Sequence, residues 1–121
     1  MMKTVEEIKN LVVTALEDLK AVNLLVIDVR EKTTFADFMV IASGTSDRHV
    51  KSLANNVVVE IKKAGLMPLG VEGENTGEWV LVDLGDVVVH IMLQQTRDFY
   101  QLEKLWETQA AEMIANARAG S

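Results

Sequence analysis

The side chains in this 121-residue chain that could do chemistry are two histidines, a set of carboxylates and one small-residue loop. Asp83 and His90 lie in the same stretch, GEWVLVDLGDVVVHIM from Gly77 to Met92, and a carboxylate beside an imidazole is the start of a proton-transfer site. Ser46, Asp47 and His49 supply the residue types of a nucleophilic triad. As neighbours in one helical turn, they cannot adopt the relay geometry such a triad requires. Metal-assisted phosphoryl transfer needs two carboxylates one residue apart on a strand. No Asp-x-Asp or Asp-x-Glu falls on an expected strand, and Glu6-Glu7, Glu17-Asp18 and Glu72-x-Glu74 fall in helices or a turn. His49 and His90 lack ligand spacing, and no nucleophile-elbow, zinc-protease or phosphate-loop pattern occurs. With no cysteine, thiol chemistry and disulfides are excluded. Neither catalysis nor a metal or cofactor is expected.

The elements that must position these groups are legible from spacing. In Gly77–Met92, two runs of Val, Leu and Ile flank Gly85-Asp86, and Gly in the first place of a two-residue loop suits a type II′ hairpin. In that register Leu84 faces Val87, Val82 opposes Val89, Val80 opposes Ile91, Leu81 opposes His90 and Trp79 opposes Met92. One face is then Val80, Val82, Leu84, Val87, Val89 and Ile91, a plain core surface. The other carries Trp79, Leu81, Asp83, Val88, His90 and Met92, with Asp83 and His90 as diagonal neighbours within hydrogen-bond reach. This second face is too polar for an ordinary core and too apolar for an ordinary exposed surface.

Before the hairpin, Thr4 with Glu7 has capping-box spacing and opens an amphipathic helix over roughly residues 4–21. Leu24–Val29 and Phe38–Ala42 read as antiparallel strands, with Asp28 inside the first. The loop Ser43-Gly44-Thr45-Ser46-Asp47-Arg48-His49 leads into a second helix, with Ser46 as N-cap and Gly65 as its stop. Such a loop serves capping and tight geometry, and a helix N-terminus can also receive an anion. Pro68 makes Leu66–Val71 an edge strand or a loop. Thr96 opens a third helix along Phe99, Leu102, Leu105 and Trp106. The order of elements argues an α/β (α+β) domain with three helices around a single mixed sheet of about five strands. One domain spans 1–107, and 108–121 is a helix extension or a flexible tail.

Charge bounds the partners. Eighteen acidic against twelve basic side chains give a net charge of −6. That balance opposes sequence-specific nucleic-acid binding and favours a basic protein. Between Lys63 and Arg97 there is no Lys or Arg, whereas Glu72, Glu74, Glu78, Asp83 and Asp86 all fall there. Four of the six aromatics, Trp79, Phe99, Tyr100 and Trp106, lie on the hairpin or just after it, beside Arg97. Trp, Tyr and Arg anchor protein interfaces, and the same residues could equally pack helix three on the sheet. No apolar run approaches the roughly 20 residues of a membrane span, and MMKTVEEIKN lacks a signal-peptide core, so no membrane contact and a cytoplasmic location are expected.

Three blocks together, DFMVIASGTSDRHVKSLANNV (37–57), GEWVLVDLGDVVVHIM (77–92) and RDFYQLEKLW (97–106), resemble the ribosomal silencing factor family, also called Iojap-related proteins. The resemblance implies a nucleotidyltransferase-like topology lacking the catalytic carboxylates. It further implies binding to the large ribosomal subunit through ribosomal protein fourteen, where steric exclusion of the small subunit lowers translation in nutrient scarcity, and a homodimer when free. On that footing the partner-binding surface is expected at Trp79, Leu81, Asp83, His90, Met92, Arg97, Tyr100 and Trp106. The loop Ser43–His49 is expected to be structural. The competing readings are a nucleotide-handling enzyme built on Gly44 and Asp28, and a module that only self-assembles.

Overall fold

The structure is a computed structural model that describes residues 4–31 and 36–100, the last two as backbone only. Helix α1 spans Val5–Asp18, and its capping box forms as the Thr4/Glu7 spacing requires: Glu7 N–H donates to Thr4 Oγ1 at 3.1 Å and Thr4 N–H to Glu7 Oε1 at 3.0 Å. The helix ends earlier than the apolar spacing suggests. Lys20 adopts a left-handed φ of 60° and the Ala21 N–H turns back to Leu16 C=O, so the chain reverses directly into a strand.

Strand β1 (Val22–Asp28) pairs antiparallel with β2 (Phe38–Gly44). It begins two residues before the expected start, across an irregularity between Val22 and Leu25 where Asn23 has φ 51°. Helix α2 (Asp47–Lys63) starts at Ser46, whose hydroxyl accepts the His49 N–H at 3.0 Å. It ends with Lys62 and Lys63 at the negative end of the dipole, before Gly65 at φ +84°. Only Gly70–Glu72 of the run after it forms a strand, β3, because Pro68 has no N–H to give a ladder. Strands β4 (Trp79–Asp83) and β5 (Val87–Leu93) follow, then α3 (Gln94–Tyr100).

The five strands form one mixed sheet in the order β1-β2-β5-β4-β3, with β2 and β5 parallel and the other pairs antiparallel. The hairpin has the register read from the sequence, Trp79 opposite Met92 through Asp83 opposite Val88. Gly85, in the first place of the two-residue loop, has φ +91° as that place in a type II′ turn requires, and Leu84 N–H donates to Val87 C=O at 2.9 Å beside it.

Helices α1 and α2 cover one face. There Val12, Leu16, Leu53, Val57 and Ile61 pack on Val40, Val80, Val82, Val89 and Ile91, all essentially without exposure. On the opposite face Met39, Ile41, Leu81, Val88 and Met92 cluster with Val29 and Ala36, joined by Ile27 and Trp79. The loop after β2 lies tight against α2: a Cβ on Gly44 would stand 2.7 Å from Val50 Cγ2 and 3.0 Å from the Val50 nitrogen. Because Val50 is fully buried, Gly44→Ala should cost about 1–2 kcal/mol, read as a lower denaturation midpoint at unchanged m-value.

Candidate interaction surface

The mixed face of the hairpin resolves its own polarity. Trp79 and His90 are diagonal across β4 and β5, and the indole Nε1–H donates to His90 Nδ1 at 2.9 Å with ring centroids 5.8 Å apart. An accepting Nδ1 leaves the proton on Nε2. That N–H is buried and has no acceptor among the described residues, and burial pushes the imidazole down to about 3, so it is neutral. Asp83 turns the other way, and its Oδ1 accepts the Gly85 N–H at 2.9 Å, bracing the turn. The expected Asp83–His90 hydrogen bond is therefore replaced by two separate ones. His90 has a diagonal neighbour on each side, and the Trp79 donor takes the nitrogen.

Leu81, Asp83, His90 and Met92 have no exposed surface, and Trp79 is half-buried. In this structure Trp79 alone of the five reaches the surface, and the other four stand behind it. Arg97 is also buried, at 8% exposure, which corrects its expected place as a surface anchor. Its Nη1 donates to Asn23 C=O at 2.5 Å and to Ser43 Oγ at 3.2 Å, while Asn23 Nδ2 donates to Gln94 Oε1 at 2.7 Å. Together these bonds fasten the start of α3 to the irregular start of β1 and the end of β2. The role of Asn23 is not apparent in the pattern of apolar residues. Its only sequence signal is that Asn tolerates the left-handed region. Tyr100 contributes backbone to α3, its side chain is not described, and Trp106 and 108–121 lie outside the described residues.

The loop Ser43–His49 leads from β2 into α2 and bonds back to the end of α1. His49 Nδ1 accepts the Thr45 N–H at 2.9 Å and Nε2 donates to Leu19 C=O at 2.7 Å, joining the end of α1 to the start of α2. Ser43 is buried, Ser46 caps α2 and Arg48 is exposed. Beside this loop an open cleft of about 670 Å³ lies at the carboxyl ends of β2 and β5, lined by Ser43, Thr45, Thr76, Gln94 and Gln95 with the carboxylates Asp47 and Glu78. Two carboxylates oppose a phosphate there. Asp28, the other residue of the enzyme reading, is engaged by the Arg30 guanidinium, which holds its carboxyl down at about 2. Among the described residues no three His, Asp or Glu side chains are grouped to hold a metal ion.

A family model for the ribosomal silencing factor during starvation matches residues 2–120. The chain belongs to the ribosomal silencing factor family. It is 45% identical over 113 residues to the ribosomal silencing factor of Chromobacterium violaceum, covering 93% of each chain. A crystal structure of a Chromobacterium violaceum protein superposes with a TM-score of 0.84 at 47% identity, over 88% of this chain and 89% of that one. A more distant relative, 37% identical over 100 residues, is the mouse protein named for mitochondrial assembly of the ribosomal large subunit, with 80% of this chain and 44% of that one aligned.

Membership of the silencing factor family gives the chain ribosome association and the role of a silencing factor. The family is named for silencing rather than for a reaction. No helix among the described residues is long and apolar enough to cross a membrane.

Proposed function

We propose that this silencing factor represses translation by binding the large ribosomal subunit at ribosomal protein fourteen, where it excludes the small subunit, chiefly when nutrients are limiting. The mechanism is occupancy, with no reaction and no cofactor, and its place is the cytoplasm. Free of ribosomes, the chain pairs with a second copy. The domain that does this spans 1–107, and 108–121 is an appendage to it.

The observation that carries the reading is a partly exposed aromatic within an acidic stretch of the chain. Glu72, Glu74, Glu78 and Asp86 fall between Lys63 and Arg97, where there is no Lys or Arg, and Trp79 is the partly exposed aromatic of that stretch, while Lys51 and Lys62 of α2 approach Gly77 and Glu74. Acidic side chains steer a Lys/Arg-rich partner, and a Trp supplies the apolar anchor once the two surfaces meet. Trp79 is the contact residue, with Tyr100 and Trp106 proposed beside it on sequence grounds. Leu81, Asp83, His90, Met92 and Arg97 form the layer that holds Trp79 and α3 in place.

Cosedimentation with isolated large and small subunits tests this. Binding should be confined to the large subunit, and its affinity should fall about tenfold or more as salt is raised from low to physiological strength. Binding to small subunits, or affinity indifferent to salt, would remove the proposal.

A further inference from the structure

Strands β2 and β5 are the parallel pair of the sheet, and they end side by side, with Gly44 opposite Leu93. Outside the carboxyl ends of parallel strands, loops and helix starts converge on a crevice, the usual place for a small ligand in an open sheet. The cleft of about 670 Å³ lies there, within the size range of small-molecule sites. Its walls are fixed by close packing. Gly77, at φ +73°, sits so tightly on the start of α2 that a Cβ on it would stand 2.8 Å from the Asp47 carbonyl oxygen and 3.0 Å from Asp47 Cβ. Leu93 N–H donates to Glu78 C=O at 3.1 Å, which ties the next residue to the end of β5.

The polar groups of this cleft are only partly satisfied by the protein. Asp47 and Glu78 bring carboxylates from the two abutting segments, and neither side chain has a hydrogen bond or ion pair among the described residues. Among those residues no Lys or Arg lines the cleft. Lys51, one turn along α2, passes Gly77 but pairs with neither carboxylate, and Arg97 is engaged behind Ser43. Ser43 itself is fully buried. Its Oγ accepts from Arg97 at 3.2 Å, whereas its own O–H, a donor, has no acceptor among the described residues. The cleft therefore lacks a cation at its carboxylates and an oxygen acceptor at Ser43.

We propose that this cleft binds a small hydroxylated amine, of the amino alcohol or amino sugar class, with its ammonium group at Asp47 and Glu78 and an oxygen at Ser43. Ammonium-to-carboxylate hydrogen bonds are the strong ones, and two carboxylates without a counterion supply them. The hydroxyls of Thr45 and Thr76 and the amide of Gln95 line the space between and suit further hydroxyl groups on the ligand. Each competing class leaves one demand unmet. A phosphate or carboxylate is repelled by Asp47 and Glu78, a neutral sugar brings them no cation, and a plain alkyl diamine leaves the buried Ser43 donor without an acceptor. Val22 and Leu93 give the carbon skeleton an apolar surface. Nothing in this site depends on ribosome binding.

Titration of isotope-labelled protein with protonated glucosamine, glucose and putrescine, followed by backbone amide chemical shifts, tests it. Glucosamine should move the amides of Gly44, Thr45, Thr76 and Gln95 with a Kd of about a millimolar, as a ligand of about a dozen heavy atoms allows. Glucose has the hydroxyls without the charge and putrescine the charge without the hydroxyls, so each should bind about tenfold or more weakly than glucosamine. Glu78→Gln, outside the helices and strands, and Asp47→Asn should each weaken glucosamine about tenfold with the circular dichroism unchanged. Absence of any shift at these four amides, or shifts that both substitutions leave intact, would overturn the site. Putrescine binding as tightly as glucosamine would rule out the hydroxylated class, and glucose binding as tightly would rule out the contact with the carboxylates.

Discussion

Replacing Trp79 with glutamate is expected to weaken binding to isolated large ribosomal subunits about 30-fold to 1000-fold, as losing one aromatic anchor worth about 2–4 kcal/mol would. The substitution also adds a carboxylate next to Glu78 in the sequence. Trp79 is half-buried at the end of β4, so a glutamate there can turn its head to water, and the far-ultraviolet circular dichroism should be unchanged. Trp79→Phe separates two functions of the side chain. It keeps an aromatic anchor and should retain most of the binding, but it removes the Nε1–H that His90 Nδ1 accepts. A buried nitrogen left without its donor costs about 1–3 kcal/mol, which should appear as a lower denaturation midpoint. Full binding by Trp79→Glu would place the contact elsewhere on the chain.

His90 should make the protein lose stability in mild acid. Its imidazole is fully buried, and burial holds it at about 3 against an ordinary 6.5. Above pH 6.5 the ring is neutral whether the chain is folded or unfolded, and it contributes no pH dependence. Below 6.5 the unfolded chain takes up a proton that the folded one refuses, so stability is lost progressively as pH falls from 6.5 toward 3. At 1.36 kcal/mol per pH unit, the loss between pH 6.5 and 5 is about 2 kcal/mol, a large share of the stability of a small domain. His90→Leu removes the titrating group and its buried Nε2–H together. Urea unfolding of both proteins at pH 7.5 and pH 5 should show the wild type losing about 2 kcal/mol more than the variant. Equal losses would mean that the ring accepts its proton in the folded state.

Much of the fold was legible because it rests on local rules. Thr4 with Glu7, Ser46 before a long apolar stripe, and Gly85-Asp86 between two β-branched runs each specify an element through groups a few residues apart. The hairpin register followed from the loop length alone, since a two-residue turn leaves one pairing. Pro68 was legible as a limit on β3, though not how few residues would pair. The surface was less legible, because burial depends on the assembled sheet. The alternation on β4 and β5 put Leu81, Asp83, His90 and Met92 on one face, but period-two spacing cannot tell a face open to solvent from a covered one. Arg97 was misplaced for a related reason. Its partners, Asn23 and Ser43, are distant in sequence, and nothing near Arg97 shows that its guanidinium is already engaged.

The parallel pairing of β2 with β5 sets the order in which the molecule can assemble. Each antiparallel pair, β1 with β2 and β4 with β5, joins neighbouring segments and can close early. The central junction joins strands separated by α2, β3 and β4, and it must wait until β5 has left the ribosome that makes it. The acidic hairpin becomes part of the sheet only at that last step. A chain that still lacks β5 therefore holds β2 without its parallel neighbour, and the two halves of the sheet join only when synthesis has passed Leu93.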